Sequence, residues 1–272
     1  MASTTILHHD EIRSAEGGAK MLYMLHGIFG SGRNWSSVLR RFVRSAPAWS
    51  ARLIDLRQHG DSQGFAPPHT IEAAARDLFE LAESLQEVPA AVLGHSFGGK
   101  VALMYAREHG AALEQVWLID STPEARRPEG SAWQMLEIIR STPRQFESRE
   151  QLIELLGQQG VARATAQWMA TNLESRDGAY VWRFDFDAIE ALLRDFFEQD
   201  LWAVLESPPG SCVVHLVKAQ ESSVLSATAI ARIHEIGLQN HRVFLHSLAG
   251  GHWVNADNPE GLLSLMTAQL QD

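Results

Sequence analysis

The chain of 272 residues predicts an α/β fold with a mostly parallel central sheet flanked by helices. Three observations carry that prediction. Short apolar runs of strand length alternate with segments whose apolar residues recur at helical spacing, as in β-α units joined by right-handed crossovers. His26, Arg57 to Ser62, Ser96, Asp120, Gln220 to Ser223 and His252 all fall just past a predicted strand end, where an open α/β sheet gathers its functional groups. The stretch from Ala90 to Tyr105 reads as a strand, then Gly94-His95-Ser96-Phe97-Gly98, then a helix.

Residues from about Thr4 to Glu16 alternate weakly and predict an edge strand or hairpin. Met21 to Leu25 is a central strand that empties into the loop His26-Gly27-Ile28-Phe29-Gly30-Ser31-Gly32. Asn34 or a neighbouring serine can cap the next helix, which puts Trp35, Val38, Leu39 and Phe42 on one face. Ala51 to Leu56 is the following strand and leads into the loop Arg57 to Ser62. Thr70 caps a helix reaching about Glu87, with Ile71, Ala75, Leu78, Leu81 and Leu85 turned to the core. Gln115 to Ile119 is a further strand, ending at Asp120-Ser121-Thr122-Pro123.

There the alternation stops. To about Ser207 the pattern is helical, over Ser131 to Arg140, Arg149 to Gly157, Ala162 to Asn172 and Ile189 to Leu205, with Val181 to Phe186 as a short extended piece. The expected organisation is a core domain of residues 1–122 and 207–272 and a helical cap of residues 123–206, inserted after the sixth strand. The cap is rich in large apolar residues: Trp133, Met135, Trp168, Met169, Trp182, Phe184, Phe186, Phe196, Phe197 and Trp202. Most should pack the cap, and a few should wall a site. Ser207-Pro208-Pro209-Gly210 is a breaker. Cys212 to Val217 resumes the sheet, followed by a helix near Ser223 to Ile236, a strand from Arg242 to Leu248, the turn Gly250-Gly251-His252-Trp253, and a last helix opened by Asn258-Pro259.

The formal charge of −10 argues against nucleic acid as a partner, since a phosphate backbone demands a basic surface. A single cysteine, Cys212, excludes an internal disulfide. No apolar run is long enough for a transmembrane helix, and no basic-then-apolar leader opens the chain, so the expected location is cytoplasmic. His8 and His9 are neighbours on a predicted strand and point to opposite faces, which argues against a shared metal. No pattern for oligomerisation is legible.

The glycines of Gly94-His95-Ser96-Phe97-Gly98 leave room for a sharp strand-to-helix turn that lifts the Ser96 hydroxyl to the sheet edge at a helix N-terminus. A serine hydroxyl is a poor nucleophile until a base lies within reach. His252, the last histidine, stands on a Gly-Gly turn before the final helix. A histidine base needs a carboxylate to fix its tautomer and stabilise the imidazolium. Two acids fit the order serine, acid, histidine: Asp120 and Glu221.

These pieces resemble the α/β-hydrolases. The matching residues are His26-Gly-Ile-Phe-Gly-Ser31 with Asn34-Trp35, Asp55-Leu-Arg57-Gln-His59-Gly60-Asp-Ser62, Gly94 to Lys100, Asp120 to Pro123, and Gly251-His252-Trp253 before Pro259. They are most similar to the small acyl-esterase branch that includes the bacterial YbfF-type esterases and related mitochondrial abhydrolase-domain proteins. Most α/β-hydrolases carry the acid after the strand that follows the insert, here near Glu221. The resembled branch carries it after the earlier strand, which implies Asp120, with Glu221 as the alternative. The resemblance implies an oxyanion hole from the backbone N–H groups of Phe97 and Ile28, with Phe29 as the alternative second donor. It implies a small-molecule ester with a short to medium acyl chain as substrate, a Ser96-His252-Asp120 triad, an acyl-enzyme intermediate, and neither metal nor cofactor.

His26 is expected to anchor its loop, and Arg57 and His59 to tie loops together. His95 flanks the nucleophile and points away from it. With Phe29, Trp253 and the cap aromatics, it completes the candidate substrate-binding residues. Lys100 is expected to be a solvated or loop-pairing charge, or else a contact for an anionic substrate. The chain also resembles the menaquinone-pathway cyclohexadiene-carboxylate synthase, a lyase with the same triad but an arginine where this chain has Lys100. Carbon–carbon bond hydrolases and hydrolase-like hormone receptors share the scaffold and stand as further alternatives.

Overall fold

A computed structural model describes residues 5–271. Its strands are β1 (His9–Ile12), β2 (Lys20–Leu25), β3 (Trp49–Ile54), β4 (Ala91–His95), β5 (Gln115–Ile119), β6 (Gln145–Phe146), β7 (Leu173–Arg176), β8 (Ala179–Trp182), β9 (Val213–Ala219) and β10 (Val243–Leu248). Its helices are α1 (Ser36–Ser45), α2 (Ile71–Leu85), α3 (Phe97–His109), α4 (Ser131–Arg140), α5 (Arg149–Gln158), α6 (Arg163–Ala170), α7 (Phe186–Glu198), α8 (Trp202–Glu206), α9 (Ala227–Gln239), α10 (Val254–Asp257) and α11 (Pro259–Gln269).

Seven strands form the main sheet in the order β1-β3-β2-β4-β5-β9-β10. Every pairing is parallel except that of β1 with β3. Alternation along each strand sends side chains to two apolar layers. Leu22 and Met24 join Trp117, Ile119 and residues of α1 and α11 on one face. Tyr23 and Leu25 join Val116, Leu118 and residues of α2, α3 and α9 on the other. Two caps follow the expected residues, Thr70 Oγ1 accepting from Ala73 N at 3.1 Å and Asn258 Oδ1 from Gly261 N at 2.9 Å. Helix α1 has no side-chain cap, because Trp35 holds its N-cap position and Asn34 Oδ1 turns back to accept from Ser31 N at 2.8 Å.

Four differences from the sequence reading have physical causes. The N-terminal segment supplies the edge strand of the two expected alternatives, one short antiparallel strand, so the insert follows the fifth strand and not the sixth; Thr4 lies outside the described residues. The insert is not purely helical, since β6, β8 and β7 form a three-stranded antiparallel sheet. Strands of two to four residues are too short to print a period of two on the sequence. The helix expected over Ile189 to Leu205 is two helices, because the carbonyls of Phe196 and Gln199 are taken up by Lys100. The helix expected from Ser223 starts at Ala227, after the Ser226 cap.

Candidate active site

Ser96 stands between β4 and α3 with φ 51° and ψ −115°, a conformation L-residues adopt only under constraint. The constraint is on all sides. Ser96 N donates to Ile119 O at 2.9 Å, and Ser96 O accepts from Gly99 N at 3.0 Å and from Ser121 Oγ at 2.6 Å. A Cβ on Gly94 would run into the Gly98 carbonyl, and one on Gly98 would lie 2.5 Å from the His26 carbonyl oxygen. The turn therefore tolerates no side chain at either glycine.

Asp120 ends β5, fully buried. Its backbone N donates to Val217 O at 2.8 Å, locking the residue to β9. Its Oδ1 accepts from Ala219 N at 3.1 Å, and its Oδ2 accepts from His252 Nδ1 at 2.7 Å. Burial alone would raise its pKa, but hydrogen bonds from His252, Ser222 and the Ala219 backbone outweigh it and hold the carboxyl below its usual range. The Asp120 bond fixes His252 with Nδ1 protonated and Nε2 left as the acceptor. Glu221, the alternative acid, is exposed, and only its backbone N is engaged, with Gly250 O at 3.0 Å.

His95 holds the histidine loop from beneath. Its Nε2–H donates to the backbone carbonyl of His252 at 2.8 Å, and the two rings pack with centroids 4.7 Å apart. The bond crosses from β4 to the loop after β10, past two intervening strands. Burial pushes the His95 pKa down to about 3, so the ring is neutral. The sequence reading made His95 a candidate substrate contact. Its ring edges one cavity but is itself buried, and its hydrogen bond goes to the His252 main chain.

His26 anchors its loop: Nδ1–H donates to Gly27 O at 2.7 Å and Nε2 accepts from Leu56 N at 3.0 Å. Burial takes its pKa down to about 4, consistent with a neutral ring making both bonds. Arg57 makes a buried fork to Asp77 at 2.6 and 3.0 Å, and His59 Nδ1–H donates to Arg57 O at 2.9 Å. Asp55, His8 and Asp61 converge, the one such group of potential metal ligands among the described residues. Their oxygens are already committed: Asp55 accepts from Gly32 N and Asp61 N, and Asp61 from Arg183.

Lys100 pairs with loops, one of its expected roles, but does so from a buried position. It is fully buried, and its Nζ donates to the carbonyls of Glu124 at 2.8 Å, Phe196 at 2.7 Å and Gln199 at 3.0 Å. It is neither solvated nor open to a substrate; it joins α3 to both ends of the insert. Burial, with Arg126 adding repulsion, lowers its pKa to about 7. A signal existed in the sequence: α3 is apolar around its whole circumference from Phe97 to Ala106, so a lysine inside it has no polar face to occupy.

Ser96 and His252 line two cavities that meet above Ser96. One, of about 180 Å³, is mainly apolar and includes Phe29, Met135, Trp168 and Trp253. The other, of about 450 Å³, carries polar groups such as Arg126, Glu129, Gln134 and Ser223 beside Phe196 and Phe197. Ile28 borders both, and Phe29 only the first. Among the described residues the Ile28 and Phe97 N–H groups have no protein acceptor. Of the other insert aromatics, Trp182, Phe184, Phe186 and Trp202 are packed into the interior.

A serine on a strained strand-to-helix turn, at the carboxyl edge of a sheet in this strand order and facing a late histidine loop, defines the α/β-hydrolase class. The alpha/beta hydrolase family pattern matches residues 22–265, and the chain belongs to that family. It is 25% identical over 258 residues to the sn-1-specific diacylglycerol lipase ABHD11 of Mus musculus, covering 92% of this chain and 80% of that one. It is 28% identical over 257 residues to the ABHD11 of Xenopus tropicalis, covering 89% and 75%. Among solved structures, a marine microorganism esterase superposes with a TM-score of 0.84 at 22% identity, covering 97% of this chain and 99% of the other. No helix among the described residues is long and apolar enough to cross a membrane.

Proposed function

We propose that this chain hydrolyses carboxylic esters through a Ser96-His252-Asp120 triad. The observation that carries the reading is the 2.7 Å bond from His252 Nδ1 to the buried Asp120 carboxylate, on the same sheet edge as the strained Ser96. Ser96 Oγ attacks the acyl carbon and its proton passes to His252 Nε2. Asp120 holds the Nδ1 proton and stabilises the imidazolium. The tetrahedral oxyanion lies against the Phe97 and Ile28 N–H groups, the first at the N-terminus of α3. Collapse expels the alcohol, which takes the proton from His252 and leaves the acyl group on Ser96. Water then attacks with His252 as base, releasing the carboxylic acid and restoring the serine.

The substrate is an ester whose acyl chain occupies the apolar cavity, with the polar cavity left for the alcohol portion. The relatives named as lipases support an acyl ester. The burial of Lys100 on main-chain carbonyls weighs against the lyase alternative, because that charge is not available to an anionic substrate. A fluorophosphonate probe tests the reading. The native chain should be labelled at Ser96 and should hydrolyse p-nitrophenyl butyrate, and Ser96→Ala should lose both. Undiminished turnover in Ser96→Ala would overturn it.

A further inference from the structure

The apolar cavity at Ser96 is closed at its far end by two indoles. Beyond them lies a separate groove of about 380 Å³ that includes Asn34, Ala164, Thr165 and Asn255. Thr165, Trp168 and Trp253 line both spaces, so they form the partition between them, with the two indoles as its bulk. Their rings meet edge to face, with centroids 4.5 Å apart and planes at 65°.

The two halves of the partition are held unequally. Trp253 follows His252 directly, and its ring lies 5.5 Å from that of His95 and 5.7 Å from that of His252, both part of the fixed edge of the sheet. Trp168 rides on α6, an eight-residue helix of the insert, and Trp253 is its one aromatic neighbour among the described residues. No hydrogen bond among the described residues holds its indole N–H. Rotating Trp168 costs its edge-to-face contact, worth about 0.5–1.5 kcal/mol, together with the packing of its half-buried ring against the core. Moving Trp253 would disturb the histidine loop itself.

We infer that Trp168 sets the acyl-chain length this site accepts: chains that fit the inner cavity bind with the partition closed, and longer chains bind only when Trp168 turns aside to let them continue into the outer groove. The inference rests on the ester-hydrolase reading and adds a boundary to it. At a volume per methylene close to the ~30 Å³ that a water molecule occupies, the inner cavity takes roughly six carbons. A closed apolar wall discriminates strongly, since one misfit methylene changes kcat/KM by about tenfold or more.

The test compares kcat/KM for p-nitrophenyl esters of two to twelve acyl carbons, below their aggregation limits, in the native chain, Trp168→Ala and Trp168→Phe. The native profile should fall by about tenfold or more between hexanoate and decanoate. Trp168→Ala should remove most of that fall, and Trp168→Phe, with a smaller ring on the same hinge, should give an intermediate profile. Should the alanine variant fail to fold, the phenylalanine variant carries the comparison. A native profile flat across six carbons, or a fall that survives both substitutions, would overturn the gate. Ser96→Ala runs in parallel, so turnover that does not depend on Ser96 marks failure of the hydrolase reading, whereas Ser96-dependent turnover with an unaltered length profile marks failure of the gate alone.

Discussion

Along the carboxyl edge of the sheet, Ser96 and Asp120 hang on main-chain bonds to neighbouring strands, and His252 is held by two side chains rooted at strand ends, His95 and Asp120. The insert reaches the same edge by another route, through side chains that span the gap: Lys100 to three carbonyls, Asn172 to Phe29 O at 3.0 Å, Arg183 to Asp61 at 3.0 Å, and Asp195 to Ile71 N at 2.6 Å. The first region draws its precision from covalent neighbours of the strands, so its geometry is set when the sheet forms. The second depends on long-range polar contacts, each of which can be lost singly. Chemistry should therefore be sensitive to substitutions on the edge, and the shape of the pocket to substitutions at the junction.

The largest effect separates the two candidate acids. Asp120→Asn keeps the shape but leaves the His252 tautomer unsupported, and should lower kcat by about 10³- to 10⁴-fold. Glu221→Gln should change it by less than about twofold, its side chain being exposed. Steady-state assays of the two variants side by side check this, and a larger loss at Glu221 would break the division between a rigid edge and its surroundings.

Next is the junction. Lys100→Met buries a similar volume but leaves three carbonyls without a donor, and should lower stability by about 3 kcal/mol or more in urea unfolding. Proteolysis should then cut first between residues 123 and 206. An unchanged unfolding midpoint would mean that the insert is held by packing rather than by these bonds.

The smallest effect belongs to the edge and appears on acidification. His26, His59 and His95 are buried, with pKa values pushed down to about 4, 3 and 3, while an unfolded histidine titrates near 6.5. Between those limits the unfolded chain binds more protons, so stability falls as pH drops through 6.5. Unfolding at pH 6 against pH 7.5 should show a loss of roughly 2 kcal/mol from these rings together. A flat response over that range would mean that the edge histidines are not held neutral.

The same division explains what the sequence made legible. Gly94 and Gly98 are demanded by backbone contacts, so the turn around Ser96 declared itself, and the strand-loop alternation brought His252 to the same edge. The choice of Asp120 over Glu221 came from family resemblance, because both acids satisfied the chain order. In the insert, β6 to β8 were missed because strands that short carry no period, and the break between α7 and α8 was missed because it answers to a lysine almost a hundred residues earlier. Lys100 was legible as a loop-pairing charge but not as a buried one, although the helix around it is apolar from Phe97 to Ala106.

The grip of Lys100 has one more implication. Its ammonium takes three peptide oxygens, and two of the residues that supply them also act on it through their side chains: the Phe196 ring centroid lies 4.5 Å from Nζ, and the Glu124 carboxylate favours its charged form. Of the three, Gln199 carries neither a charge nor a ring to the ammonium, so it can be exchanged as long as the backbone keeps its path. A combinatorial library that reshapes the insert for new substrates can therefore vary Gln199, provided Lys100, the Phe196 ring and the charge at Glu124 are kept.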